Sequence, residues 1–120
     1  MSKYDVNKFK QVTVALNTPF QPDGSVDLKA VRAVVNYFYN KGIRQMYVCG
    51  STGEGFLLDT QERMAVTETV VEEAAGRMNI IVHVGCPDTR HSEELARHAE
   101  KAGADATSAV PCVYYRMGEE

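Results

Sequence analysis

With 120 residues, 44% of them hydrophobic, the chain is large enough for one modest core and small for two. A net charge of −3 and the lack of any basic run leave nothing to neutralise a phosphate backbone, which excludes nucleic-acid binding. Met1-Ser2-Lys3-Tyr4-Asp5 has no apolar signal core, and no stretch approaches the ~18 apolar residues of a membrane helix, so a soluble, cytoplasmic protein without a membrane partner is expected.

In chain order, the β-branched residues within 11–16 (Val12-Thr13-Val14) predict a first strand. Pro19 cannot donate to a ladder and biases Thr18 toward extended geometry, so the strand stops there. Phe20-Gln21-Pro22-Asp23-Gly24 is a loop with a Pro-Asp-Gly turn. Asp27 caps a helix reaching Lys41, with Leu28, Val31, Val34, Val35 and Phe38 at helical spacing and Gly42 as its stop. Tyr37 and Tyr39 on that helix read as packing or subunit-contact residues.

A second strand, residues 45–49, runs into Gly50-Ser51-Thr52-Gly53-Glu54. Two glycines flank two hydroxyls, so the backbone can approach a ligand closely while Ser51 and Thr52 offer donors. Such a turn at the carboxyl end of a strand suits a small anion, particularly a carboxylate; local chemistry alone equally allows an ordinary strand-to-helix connection. Glu54 is expected to anchor the loop by accepting backbone hydrogen bonds rather than to serve as an acid or base. Asp59-Thr60-Gln61-Glu62 then forms a capping box, and the helix runs through Met64, Thr67, Val70, Val71 and Ala74 to Gly76.

Residues 79–85 are nearly continuous in apolar side chains, as a third strand covered on both faces would be; His83 on it reads as a hydrogen-bonded core residue. Asp88 or Thr89 caps a third helix, with Leu95, Ala96, Ala99 and Ala102 inward and a charged, solvated face outward; Gly103 ends it. Residues 105–110 form a fourth strand, followed by Pro111-Cys112-Val113-Tyr114-Tyr115. Strands and helices alternate in a repeat of roughly 30 residues, which argues for parallel strands joined by right-handed crossovers in one structural unit, residues 1–120. The three cysteines, Cys49, Cys86 and Cys112, make no disulfide framework and match no zinc spacing, so they read as small buried thiols and no metal is expected.

Several of these motifs together carry a resemblance. Ala15-Leu16-Asn17-Thr18-Pro19-Phe20, then Gly50-Ser51-Thr52-Gly53-Glu54 with Phe56-Leu57-Leu58 and Glu62-Arg63, then Val82-His83-Val84-Gly85, then Gly103-Ala104-Asp105 to Tyr114-Tyr115 resemble, in the same order, the N-acetylneuraminate lyase and dihydrodipicolinate synthase superfamily. Serine before the threonine is closer to the neuraminate lyases; the synthases more often carry two threonines. The resemblance implies a (β/α)8 barrel, of which about 250 residues are typical, so this chain corresponds to its N-terminal half, with four parallel strands and three helices.

It also implies a chemistry. These are Schiff-base aldolases that use pyruvate and no separate cofactor. Ser51 and Thr52, with Gly50, Gly53 and Thr18 around them, would bind the carboxylate of a 2-oxo acid such as pyruvate or sialic acid. Tyr114 aligns with the tyrosine that, in tetrameric relatives, reaches toward a neighbouring subunit's site, which implies a homo-oligomer; Cys112 stands where relatives commonly carry proline. The family's lysine nucleophile lies at the end of a sixth strand and its proton-relay tyrosine on a fifth. Lys3, Lys8, Lys10, Lys29, Lys41 and Lys101 fall instead in the N-terminal segment or on helices. The chain is therefore expected to be truncated before the Schiff-base lysine and inactive alone. The alternatives are a dihydrodipicolinate synthase or other pyruvate-dependent aldolase, a natural half-barrel that associates, and a non-catalytic carboxylate-binding module. An uncovered apolar sheet face and open strand edges are expected to make the isolated chain associate.

Overall fold

The computed structural model describes residues 4–111, 113–115 and 118, so the expectation for Cys112 lies outside the described residues. Four parallel strands, β1 (Val14–Ala15), β2 (Gln45–Val48), β3 (Asn79–His83) and β4 (Ala106–Ser108), lie side by side in that order. Between them run α1 (Leu28–Asn40), α2 (Thr60–Ala74) and α3 (Thr89–Ala102). Because consecutive strands are neighbours and each crossover is right-handed, all three helices fall on one face of the sheet. The result is a slab 23 Å thick, one helix layer on one sheet layer.

Local sequence decides the helix ends. The Asp27 carboxylate accepts from the Ala30 N–H at 2.9 Å. Asp59 accepts from the Glu62 N–H while the Glu62 carboxylate takes the Asp59 N–H, the expected reciprocal box, at 2.8 and 2.9 Å. Asp88, not Thr89, caps α3 through the His91 N–H. At the other ends Lys41, Ala75 and Gly103 are the C-caps; Ala75 and Gly103 are left-handed, and their N–H groups bond back to Val71 O and to the carbonyls of Ala99 and Glu100.

The core lies between the layers. Met46, Val48, Ile80, Val82 and Val84 point from the sheet to Val31 and Val35 of α1, Val66, Val70 and Ala74 of α2, and Leu95 and Ala99 of α3. α2 packs against both other helices and so buries a broad face, including Arg63 and Thr69, where the sequence pattern predicts only a narrow apolar stripe. Tyr39 packs as expected, its ring between Arg44 and Arg77 at 3.9 and 4.1 Å, whereas Tyr37 is exposed.

Register fixes the opposite face. Ala15 pairs with Tyr47, Tyr47 with Ile81, Ile81 with Ala106 and His83 with Ser108, so these residues share the face away from the helices. That face is mixed, not uniformly apolar as expected: the Gln45 side chain donates to Phe9 O and Asn79 donates to Gln45 Oε1. The predicted first strand shortens to two residues because Val12, 73% exposed, lies outside the β1–β2 register.

Candidate functional site

Parallel strands place the strand-to-helix connections at one edge of the sheet, and the one after β2 carries the glycine- and hydroxyl-rich turn. Cys49 there adopts a left-handed conformation at φ 59°, unusual for a residue with a side chain, and Glu54 does so again at φ 57°. The two left-handed residues bracket Gly50-Ser51-Thr52-Gly53. Inside the bracket Glu54 N–H donates to Ser51 O at 3.0 Å and Gly55 N–H donates to Gly50 O at 3.1 Å.

What remains unused is the part that faces solvent. Ser51 and Thr52 are exposed, and among the described residues neither hydroxyl has a hydrogen-bond partner. The N–H groups of Ser51, Thr52 and Gly53 likewise have no acceptor among the described residues. Successive N–H groups without acceptors beside two exposed hydroxyls make a set of donors, and its chemical complement is a small anion.

The loop is held from beneath. Thr18, buried after β1, donates its hydroxyl proton to Gly53 O at 2.7 Å, so its donor is directed to the loop. A Cβ on Gly53 would stand 2.9 Å from Leu16 O, and one on Gly50 would strike the Tyr47 ring at 2.5 Å. Both glycines thus permit close packing of the loop on its support. Glu54 differs from expectation: it is exposed, and its carboxylate has no hydrogen-bond partner among the described residues. It serves the turn through its left-handed backbone, not through its carboxylate.

Next to this loop, the tip of β3 carries a buried polar cluster. His83, 2% exposed as expected for a core histidine, places Nδ1 3.0 Å from Cys49 O and Nε2 3.4 Å from the Val110 N–H. Arg63 Nη2 also lies 3.3 Å from Nδ1, but it is committed to His83 O at 2.7 Å. The nearer Cys49 carbonyl can only accept and the Val110 amide on Nε2 can only donate, which together place the proton of a neutral ring on Nδ1. Burial pushes its pKa down from 6.5 and the Arg63 guanidinium adds to that, against the Cys49 carbonyl. Arg63, 3% exposed, donates to His83 O at 2.7 Å, Gly85 O at 2.8 Å and Cys86 Sγ at 3.3 Å. Tyr47 Oη donates to Ser108 Oγ at 3.2 Å, tying β2 to β4 across β3.

The structure therefore brings together Thr18, Gly50, Ser51, Thr52 and Gly53. Tyr114 is not joined to them: it is 92% exposed, at φ 70°, and its described contact is the edge of the Tyr115 ring, centroids 5.0 Å apart. Sequence reasoning gave no role to Arg63, Tyr47 or Ser108. A signal existed for Arg63, since it stands four residues after Asp59 and three before Val66, on the stripe of α2 that faces the core.

Sequential parallel strands, helices on one face and a donor loop at the strand tips define the chain as part of a (β/α)8 barrel of the kind that binds ligands at its carboxyl-terminal edge. Comparison with known proteins specifies which kind. The chain belongs to the dihydrodipicolinate synthetase family, whose sequence profile matches residues 8–120. It is 36% identical over 115 residues to the N-acetylneuraminate lyase of Mediterraneibacter gnavus, covering 96% of this chain and 36% of that protein. With the N-acetylneuraminate lyase of Escherichia coli O1:K1 / APEC it shares 44% identity over 109 residues, 91% of this chain and 37% of the relative. Among solved structures, a catalytic-lysine mutant of the Ruminococcus gnavus sialic acid aldolase superposes with a TM-score of 0.93 at 36% identity, over 97% of this chain and 38% of that one. The chain thus spans little more than a third of the length of the curated relatives it matches.

Among the described residues no helix is long and apolar enough to cross a membrane. No group of three or more metal-ligating side chains is found among them either.

Proposed function

We propose that these residues are the N-terminal part of an N-acetylneuraminate lyase-like aldolase, which cleaves sialic acid to N-acetylmannosamine and pyruvate through a lysine Schiff base. The observation that carries this reading is the loop after β2, whose free hydroxyls and N–H groups match a 2-oxo acid carboxylate, in a chain 36–44% identical to N-acetylneuraminate lyases.

Ser51 and Thr52 bind the carboxylate, Gly50 and Gly53 let the backbone approach it, and Thr18 holds the loop in place. The bound keto acid then presents its carbonyl carbon to the amine of a lysine contributed by a later strand. Condensation expels water, and the protonated imine accepts the electron pair of the breaking carbon–carbon bond, so no separate cofactor is required. Lys8 is paired with Asp105, Lys10 and Lys41 cap the ends of the short turn Val6–Phe9 and of α1, and Lys29 and Lys101 lie on helices, so none of these follows a strand tip. Lys3 lies in the N-terminal segment outside the described residues. The nucleophile therefore belongs outside residues 1–120, and these residues alone are inactive. Tyr114 contributes to a site only when a second subunit covers it, in a cytoplasmic homo-oligomer that is a tetramer at full length.

Borohydride trapping tests this. Labelled pyruvate and borohydride should leave the 120-residue chain unmodified and should label one lysine in a product of the same reading frame that extends through the later barrel strands. Label on any of the six lysines present here would overturn the proposal.

A further inference from the structure

We infer that His83 and Arg63 are positioning residues for the Ser51–Thr52 loop, acting through the Cys49 carbonyl; the inference rests on the carboxylate reading of that loop only for its consequence in binding. Cys49 is where the chain leaves β2 and turns left-handed, so the orientation of its carbonyl fixes the direction of everything up to Glu54. That carbonyl sits in a crowded place, since a Cβ on Gly55 would lie 1.9 Å from it. His83 Nδ1–H donates to the carbonyl at 3.0 Å from the neighbouring strand. A buried carbonyl of a strained residue thereby receives its hydrogen bond from a side chain rather than from the sheet.

Arg63 sets the histidine in turn. Its guanidinium grips His83 O and Gly85 O on either side of Val84, so α2 fixes the strand tip that carries the imidazole. The Phe56 ring meets the imidazole edge to face, centroids 5.4 Å apart, and Val110 N–H occupies Nε2. With both nitrogens committed and the Arg63 guanidinium 3.3 Å from Nδ1, the ring is held in place and stays neutral at pH 7, and its role is a fixed donor rather than an acid or base. Neither residue touches the free donors of Ser51 or Thr52, so both act on a ligand only through the loop.

The test uses the 120-residue chain, isotopically labelled, with two readouts. Imidazole nitrogen shifts should report a neutral Nδ1–H ring on His83 at pH 7; a charged ring or the Nε2–H tautomer would overturn the inference. Amide exchange supplies the second readout at Glu54 and Gly55, whose acceptors lie within the loop. His83→Gln, which puts an amide near Nε2 rather than Nδ1, should speed exchange there at least tenfold. His83→Asn, which restores a donor near Nδ1, should bring it back toward wild type, with α1 amides unchanged in both. Equal exchange in His83→Gln and wild type would overturn the inference. Arg63→Lys should speed the same amides less than Arg63→Met; no effect of either would remove Arg63 from the device. Pyruvate, added separately as a probe, should shift the Ser51 and Thr52 amides in wild type and bind at least tenfold more weakly to His83→Gln than to His83→Asn. Failure of pyruvate to shift wild type would overturn the carboxylate reading, while the exchange and tautomer results decide the positioning role independently.

Discussion

Gly55→Ala is the sharpest probe of how the loop is built. A methyl at this position would stand 1.9 Å from Cys49 O and 2.8 Å from Cys49 C. Against a contact distance of about 3.5 Å, the overlap with the oxygen is about 1.6 Å. Both obstacles are backbone atoms, so no rotamer change relieves them. Relief requires moving the Cys49 peptide, which is held by His83 and followed by the Gly55 N–H to Gly50 O bond of 3.1 Å. Overpacking against side chains costs about 1–3 kcal/mol, and distorting a bond angle by 15° costs about 4 kcal/mol. We therefore expect Gly55→Ala to cost about 3–4 kcal/mol. Gly24→Ala is the control: its φ is +89° but nothing lies within 4 Å, so only the left-handed penalty of about 1–2 kcal/mol applies. In urea, with a slope of about 1.5 kcal/mol per molar, the midpoint should fall by about 2–2.7 M for Gly55→Ala and by about 0.7–1.3 M for Gly24→Ala. A Gly55→Ala midpoint within about 0.5 M of wild type would refute the packing argument, because that interval corresponds to less than about 1 kcal/mol.

Four further outcomes follow from the same contacts. Arg63→Met should lower stability by about 3 kcal/mol, since His83 O and Gly85 O lose buried donors at about 1–3 kcal/mol each; thermal unfolding unchanged from wild type would contradict this. Asp59→Ala should cost about 1 kcal/mol by opening the reciprocal cap of α2, measurable as a urea midpoint shift, and Asp59→Asn should cost less. The folded-state pKa of His83 lies below the ordinary 6.5, so the unfolded chain binds the extra proton first. The contribution of the neutral ring is thus fully present above about pH 6.5 and is lost as pH falls from there through the lower folded value. His83→Asn should accordingly lose less stability than wild type between pH 7.5 and pH 5, and parallel losses would argue against it. Burial pushes the Cys49 thiol up to about 11, so iodoacetamide at pH 8 should modify the half-buried Cys86 well before Cys49, as read by peptide mass spectrometry.

The parts legible in the sequence are those set by near neighbours in the chain. Asp27, Asp59 and Asp88 each cap the helix that follows because an Asx carboxylate reaches an N–H three residues on, and nothing distant is needed. The alternation of apolar strands with helices of 13 to 15 residues likewise announces parallel crossovers before any contact is known. Glu54 was not legible because its left-handed backbone leaves the carboxylate facing out, and a residue of that type gives no local sign of such a turn. The short β1 was not legible either, since Val12 has high strand propensity but lies outside the β1–β2 ladder.

The support of the loop depends on contacts that only register creates. Thr18 and Gly53 are 35 residues apart in sequence, and Cys49 and His83 are 34 apart. Cys49 and His83 meet because Val48 pairs with Val82, which puts the residue after each one at the same level of the sheet, while the β1–β2 register sets the chain after β1 beside the loop after β2. A slip by one residue would carry His83 to the helix side and Val82 to the open face. The burial of Met46, Val48, Ile80 and Val82, all under 4% exposed, resists that slip. The hydrophobic pattern therefore does more than form a core. By fixing which residues stand level at the strand tips, it delivers the Nδ1 proton of His83 to the Cys49 carbonyl and thereby sets the direction in which Ser51 and Thr52 present their free donors.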